Sequence, residues 1–241
     1  MDHIADLERE GLALLDAARA AGLRAPVAAC PGWDVSRLVG HTGKVLERST
    51  ILVQEGLESP PGNDRFVRFP DDDSAFDRFA DALSDAVEAL HRCDPAEPTW
   101  NFTGHDLTKG FWRRRMANEL VVHRIDAELA AGRTPVVDPE RAVDGIDELV
   151  TVMIPFTMPL KATGLAGSFH LHCTDVEGEW LVVVADDRVT TTREHAKGDV
   201  AVRGPASALF QWAWNRAPVD AEGMEAFGDP ALTEAWATVV P

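Results

Sequence analysis

The chain contains no tyrosine, so chemistry that relies on a tyrosine acid or base is excluded. It has three cysteines, Cys30, Cys93 and Cys173, an odd number, widely spaced and without a CxxC pair. That pattern argues against a disulfide framework and against a cysteine-rich zinc site. No apolar run approaches the length that spans a bilayer, and the opening MDHIADLERE is charged rather than a leader-type apolar stretch. The expectation is a cytoplasmic protein. Positive charge is scarce: 23 Lys and Arg stand against 40 Asp and Glu, a formal net charge of −17. Such a surface disfavours nucleic acid and anionic membranes and points to small molecules as partners. A Gly-rich phosphate loop and a Gly-x-Ser-x-Gly elbow are both missing, which removes support for phosphate-loop chemistry and for a serine hydrolase triad.

What is present is ordinary for a soluble globular protein: 45% hydrophobic and 26% charged residues over 241 positions. That length supports one large domain or two modest ones with real cores. Asp2 caps a first helix to about residue 21, with Gly22 as its stop. A Cys30-Pro31-Gly32-Trp33 turn follows, with Trp33 expected to anchor it in the core. Asp34 caps a second helix over about 35–55, ended by Gly56, with Leu38, Val45 and Leu52 as its apolar stripe. A third helix over about 74–92 opens on a capping-box pattern at Ser74-Ala75-Phe76-Asp77. A fourth covers about 109–131 and ends at Gly132. Four amphipathic helices indicate a four-helix bundle. A fifth helical stretch over about 139–153 is broken by Pro155 and Pro159.

Beyond residue 165 the period changes. Phe169, Leu171 and Cys173 alternate with His170, His172 and Thr174, a strand pattern. Further strands are expected at 179–185, 188–193, 199–202 and 219–223, with helices at about 205–215 and 230–239. The fold class is α+β overall: a helical bundle domain over 1–159, then a small α+β domain over 160–241.

The candidate chemistry centres on the fourth helix. Glu119 and His123 are four residues apart and stack on one helix face. Trp112, Met116, Leu120, Ala127 and Ala130 lie on or beside the same stripe, so a carboxylate and an imidazole point inward, where an unpaired charge is costly. On the second helix His41 shares a stripe with Leu38 and Val45. From that helix alone, a core histidine hydrogen-bonded to a neighbour is the favoured reading. Together His41, Glu119 and His123 offer two imidazoles and a carboxylate on facing helices, a set that suits zinc with an open position. Ferrous iron and nickel accept the same ligands, and a buried Glu–His hydrogen bond beside His41 is the bland alternative.

Other residues are weighed the same way. Arg113, Arg114 and Arg115 read as a solvated, ion-paired face, with one of them or Arg124 able to reach an anionic ligand. His170 and His172 share a strand face, but no third ligand is evident beside them. His105 sits in the loop before the fourth helix and is a candidate pocket residue. Asp126 or Glu128 is a candidate to orient an imidazole, with a surface role as the default. Trp212 and Trp214 alternate, so one is expected in the C-terminal core and the other against the helical domain.

Three stretches carry a resemblance. They are residues 30–35 (CPGWDV) with Leu38, Val39 and His41; residues 112–128 (WRRRMANELVVHRIDAE) with Gly132; and residues 204–216 (GPASALFQWAWNR) with Gly228-Asp229. The chain resembles the mycothiol-dependent maleylpyruvate isomerase family, within the DinB-like, metal-dependent helical superfamily. The resemblance implies that His41, Glu119 and His123 bind a divalent metal, usually zinc, and that mycothiol is the thiol cofactor. It implies a catalytic arginine from the C-terminal domain, for which Arg216 is the candidate. A thiol is a poor nucleophile at neutral pH because little is thiolate, and a metal with an open position deprotonates it. In an isomerase the thiolate would add to the cis double bond of an α,β-unsaturated diacid, and rotation and loss of the thiol would give the trans product. In a mycothiol S-transferase, acting on an electrophile or xenobiotic, the sulfur would stay attached. A non-catalytic metal- or ligand-binding protein is the reading from another class.

Overall fold

In the computed structural model, residues 1–161 and 163–241 are described. They divide into two compact units, Asp2–Pro135 and a second formed by Met1 with Val136–Pro241. The boundary expected after residue 159 lies instead at Pro135/Val136.

The first unit is built from α1 (His3–Ala21), α2 (Val35–Glu55), α3 (Ser74–Arg92) and α4 (Lys109–Ala130). Their ends follow local chemistry. The Asp2 carboxylate accepts from the Ile4 and Ala5 amides, and the Asp34 carboxylate accepts from Arg37 N. Gly56 ends α2 in the left-handed region, φ 59°, which glycine adopts at no steric cost. At α3 the expected Ser74 cap is not formed. Asp72 Oδ1 accepts from both the Ser74 amide and its hydroxyl, so the capping carboxylate sits two residues further out.

α1 packs most extensively on α4, and α2 on α3. The fourth helix departs from the amphipathic expectation. From Arg115 to Ala127 nearly every residue is buried, on all sides of the helix. A helix buried all round is normally apolar all round, yet this one carries Arg115, Asn118, Glu119, His123, Arg124 and Asp126. On α2 the buried stripe runs through Leu38, Thr42, Leu46, Ser49 and Val53. Val45 and His41 lie at its edge rather than its centre.

In the second unit α5 (Pro139–Glu148) does not stop at the prolines. A π-helical turn, Leu149–Met153, leads into α6 (Ile154–Lys161), which contains Pro159. Such a turn changes the backbone pairing register, one way to accommodate a residue that donates no amide hydrogen bond. α5 packs on α7 (Ala206–Ala213), and α6 on the strand Arg188–Thr192. Polar ties fix the same relation: Trp214 Nε1 donates to Gly145 O at 3.3 Å, and Trp180 Nε1 to Asp147 at 3.0 Å. These contacts explain why residues 136–159 belong with the sheet.

Among the described residues, five strands form one sheet in the order β3-β2-β1-β4-β5: β1 (Gly167–Cys173), β2 (Glu179–Ala185), β3 (Arg188–Thr192), β4 (Val200–Gly204) and β5 (Glu225–Gly228). β1 and β4 are parallel; the other neighbours are antiparallel. The expected strand at 219–223 is a turn containing Gly223 at φ 80°, and the edge strand begins at Glu225. Phe169, Leu171, Trp180, Val182, Val200 and Val202 are buried, as the period-2 pattern requires. α8 (Pro230–Ala235) and a following 3-10 turn bring Trp236 onto Phe169 and Trp212. Both Trp212 and Trp214 are therefore buried within this unit.

The α2 surface near the candidate site is shaped by a glycine. A Cβ on Gly43 would fall 2.1 Å from Phe69 Cζ, and Phe69 is itself buried under the Arg78 guanidinium. Gly43→Ala is expected to destabilise the folded chain by on the order of 2 kcal/mol in urea denaturation, the overpacking cost exceeding the roughly 1 kcal/mol that helix propensity returns.

Candidate functional site

α4 runs through the middle of its bundle, so the face bearing Glu119 and His123 meets α2 and the loop before it. His41 enters from α2. Its Nε2 lies 3.1 Å from Glu119 Oε1, and His123 Nε2 lies 3.3 Å from the same oxygen. One ligand atom from each of the three residues falls within 4.8 Å of the other two. The imidazoles meet edge to face, with ring centroids 5.1 Å apart and planes at 78°.

Each partner is held in turn. Arg115, one turn before Glu119, pairs with its other oxygen, Oε2. Asp126, one turn after His123, contacts Nδ1 at 2.8 Å. With Nδ1–H donating to Asp126, Nε2 faces Glu119 and His41, the orientation usual for metal-binding histidines. Trp33 covers the cluster, its ring 5.0 Å from His41 and 6.4 Å from His123, nearly parallel to the latter. Cys30, three residues before Trp33, points its Sγ at Asp126 Oδ2, 3.9 Å away.

The electrostatics follow from burial and neighbours. Burial pushes the Glu119 carboxyl up, but Arg115, His123 and His41 reverse this and hold it well below its usual 4.5. Burial pushes His123 down, yet Glu119 and Asp126 raise it from 6.5 to about 9. Without a metal, the ring is an imidazolium between two carboxylates. Two imidazole nitrogens and a carboxylate oxygen converging on one point, with a carboxylate behind one ring, fit a divalent metal of the zinc class.

His41 is 38% exposed at its side chain, so it is not a core histidine. It borders a cleft of about 460 Å³ lined by Trp33, Arg37, Lys44, Arg68 and Phe69. Arg24, also on this cleft, is committed to Asp71 and Asp34. Arg37, Lys44 and Arg68 form no ion pair among the described residues, and the Arg37 guanidinium rests 4.8 Å over the Trp33 ring.

Several sequence expectations change here. Arg115 and Arg113 are not a solvated face: Arg115 is 3% exposed, and Arg113 donates to the Leu90 and Cys93 carbonyls. Arg124 is buried between Glu10 and Glu128 rather than facing a ligand. Asp126 is 1% exposed and is the orienting carboxylate, while Glu128 is taken by Arg124. Trp33, expected to anchor its turn in the core, is only half-buried and walls the site. His105 is exposed in its loop and does not line the cleft. Arg216 lies just beyond α7 in the second unit, its Nη1 donating to Trp214 O at 2.5 Å. The signal for Asp126 is its spacing of three from His123, and that for Arg115 its spacing of four from Glu119; nothing local marks Trp33 as a wall of the site.

Asp126→Asn removes one of the two charges that raise His123, so its folded-state pKa should fall from about 9 towards 6.5. NMR titration of the imidazole protons in metal-free protein reads this directly; an unmoved pKa would remove Asp126 from the account.

Residues 4–128 match the family described as the mycothiol maleylpyruvate isomerase N-terminal domain, and residues 140–235 match its C-terminal domain. No curated protein matches the chain by sequence. The fold is similar to the crystal structure of the mycothiol-dependent maleylpyruvate isomerase, with TM-score 0.63, 13% identity, and coverage of 93% of this chain and 91% of that one. A histidine-to-alanine mutant of that enzyme aligns at the same TM-score with 12% identity. At such identity the likeness speaks for the fold. None of the described helices is long and apolar enough to cross a membrane. With both domains matched in order over most of its length, the chain belongs to the mycothiol maleylpyruvate isomerase family.

Proposed function

We propose that this protein is a mycothiol-dependent metalloenzyme that isomerises a small α,β-unsaturated diacid, with His41, Glu119 and His123 as the ligands of a divalent metal, zinc being the one that the family resemblance implies. The observation that carries this reading is the meeting of both imidazole Nε2 atoms on one oxygen of Glu119, beside a cleft with three cations that have no ion pair among the described residues.

When bound, the metal supplies a cation with an open position that takes up the thiol sulfur and favours its thiolate at neutral pH. The chain's own groups do the rest. Arg115 keeps Glu119 ionised and occupies Oε2, leaving Oε1 for ligation. Asp126 holds the Nδ1 proton of His123, so that Nε2 is the donor atom. Trp33 covers both rings and limits water at the ligand atoms. Arg37, Lys44 and Arg68 are assigned the substrate carboxylates and the negative charge that develops on the carbonyl side of the double bond. The family resemblance gives Arg216 the same kind of task. A cationic cleft suits a diacid better than a neutral electrophile, which favours isomerisation over thiol transfer.

Incubation of zinc-loaded protein with mycothiol and a cis-unsaturated diacid should give a product of unchanged mass. His123→Ala should lose one equivalent of zinc and this turnover while keeping its far-ultraviolet circular dichroism. A thiol adduct by mass spectrometry would make the protein a transferase instead, and no turnover with a filled site would make it a binding protein.

Metal must displace the proton held by His123 in the free site. Apparent zinc affinity at this site should therefore rise by about tenfold per pH unit up to about pH 9, as read by chelator competition. The same shift has a stability consequence for the metal-free protein. A raised histidine pKa stabilises the fold fully below 6.5, and that contribution is lost as pH rises through about 9.

A further inference from the structure

The outer face of the sheet carries a second convergence of ligands. His170 and His172 project from the same side of β1, and Glu179 on β2 stands directly opposite His172 in the antiparallel register. The segment joining β3 to β4 brings in His195. His170 Nε2 lies 2.7 Å from Glu179 Oε1, His172 Nδ1 3.1 Å and His195 Nδ1 2.6 Å from the same atom. Ligand atoms of His170, His172 and Glu179 all fall within 4.8 Å of one another. The His170 ring is edge-on to His195, 5.4 Å between centroids at 87°. His170 is well covered, its side chain 11% exposed.

Hydrogen bonding alone does not explain this pattern. A carboxylate has two oxygens and about four lone-pair sites, so three N–H donors would spread over both. Here all three imidazoles aim at Oε1, and Oε2 accepts from none of the described residues. Each neutral imidazole also has a lone pair to offer: His170, His172 and Glu179 stand within mutual ligand reach, and the exposed His195, beside the same carboxylate oxygen, can supply the fourth donor that a tetrahedral zinc site takes. Glu119 Oε1 shows the same crowding by two imidazoles. The cleft alongside is acidic, lined by Glu140, Asp144, Glu177 and Glu194. Its Arg193 is held by Asp147 at 2.5 Å, so local charge favours a cation.

We propose that His170, His172, Glu179 and His195 form a second metal site for a divalent ion of the zinc class, closed by four protein ligands. Imidazole-rich ligation selects zinc, nickel or copper over magnesium and calcium, which prefer oxygen. With four protein ligands the site is structural: the ion ties the β3–β4 connection, through His195, to the β1–β2 hairpin. His41, Glu119 and His123 supply three ligands, so the two sites differ in openness and stand on different units of the chain.

The test loads the full-length protein with Zn²⁺, removes excess by dialysis and counts zinc by elemental analysis. Wild type should retain two equivalents, His123→Ala one, and His123→Ala with His172→Ala none. Because loss of the covered His170 or of His172 can disturb the sheet, exposed His195 and the isosteric Glu179→Gln provide independent variants. His195→Ala and Glu179→Gln should each weaken the second equivalent by more than about tenfold in calorimetric titration. Zinc should also slow proteolytic cleavage within residues 193–199 of wild type but not of His195→Ala. Retention of a single equivalent that His123→Ala abolishes would overturn the proposal, as would unchanged second-site affinity in both His195→Ala and Glu179→Gln. Loss of zinc confined to the His172→Ala variant would leave this site standing and count against the one on α4.

Discussion

The ionised carboxylate of Glu119 is the constraint around which the first unit is arranged. A carboxylate in the interior of a bundle is costly unless its charge and lone pairs are all engaged. Arg115 takes one oxygen, and His41 and His123 share the other. The shared oxygen is the point where a cation gains most. The surrounding sequence makes sense in those terms: α4 is buried on nearly every side, and its buried charges are paired, Arg124 with Glu10 and Glu128, His123 with Asp126. The interior is thus a connected network rather than a set of isolated pairs, the condition under which buried polar groups specify one arrangement.

The network reaches the loop before α2 by two routes. Trp33 lies over both imidazoles, and Cys30 approaches the carboxylate that orients His123. The Cys-Pro-Gly-Trp turn is therefore part of the site, delivered there because Asp34 caps α2 immediately after it. The same helix places His41 at the margin of its buried stripe, where the ring faces the carboxylate on one side and the cationic cleft on the other. Gly43 lets Phe69 lie close against the helix, and the segment carrying Phe69 contributes Arg68 to that cleft.

The sheet unit repeats the scheme with different means. Strand alternation puts Phe169, Leu171 and Cys173 into the core and leaves His170 and His172 outward. Antiparallel register then sets Glu179 beside them. In the bundle the carboxylate reaches its imidazoles through helical spacing and helix packing; in the sheet it does so through cross-strand pairing. Both cases bring nitrogen donors onto one oxygen atom, so the two clusters present the same donor types on unrelated architecture.

Local chemistry determined a good deal. The Asp2 and Asp34 caps, the Gly56 stop, the helix carrying Glu119 and His123 on one face, and the alternation of β1 are all readable over spans of a few residues. Backbone geometry fixes side-chain direction at that range. The sequence also singled out His41, Glu119 and His123 as a set. Only tertiary packing decided that Asp126 rather than Glu128 backs His123 and that Trp33 covers the cluster. The same holds for the unit boundary at Pro135/Val136, set by α5 packing on α7, and for Glu179 and His195 joining the strand histidines. Each of these depends on which distant surfaces meet, and periodicity along one segment carries no information about the segment that will lie against it.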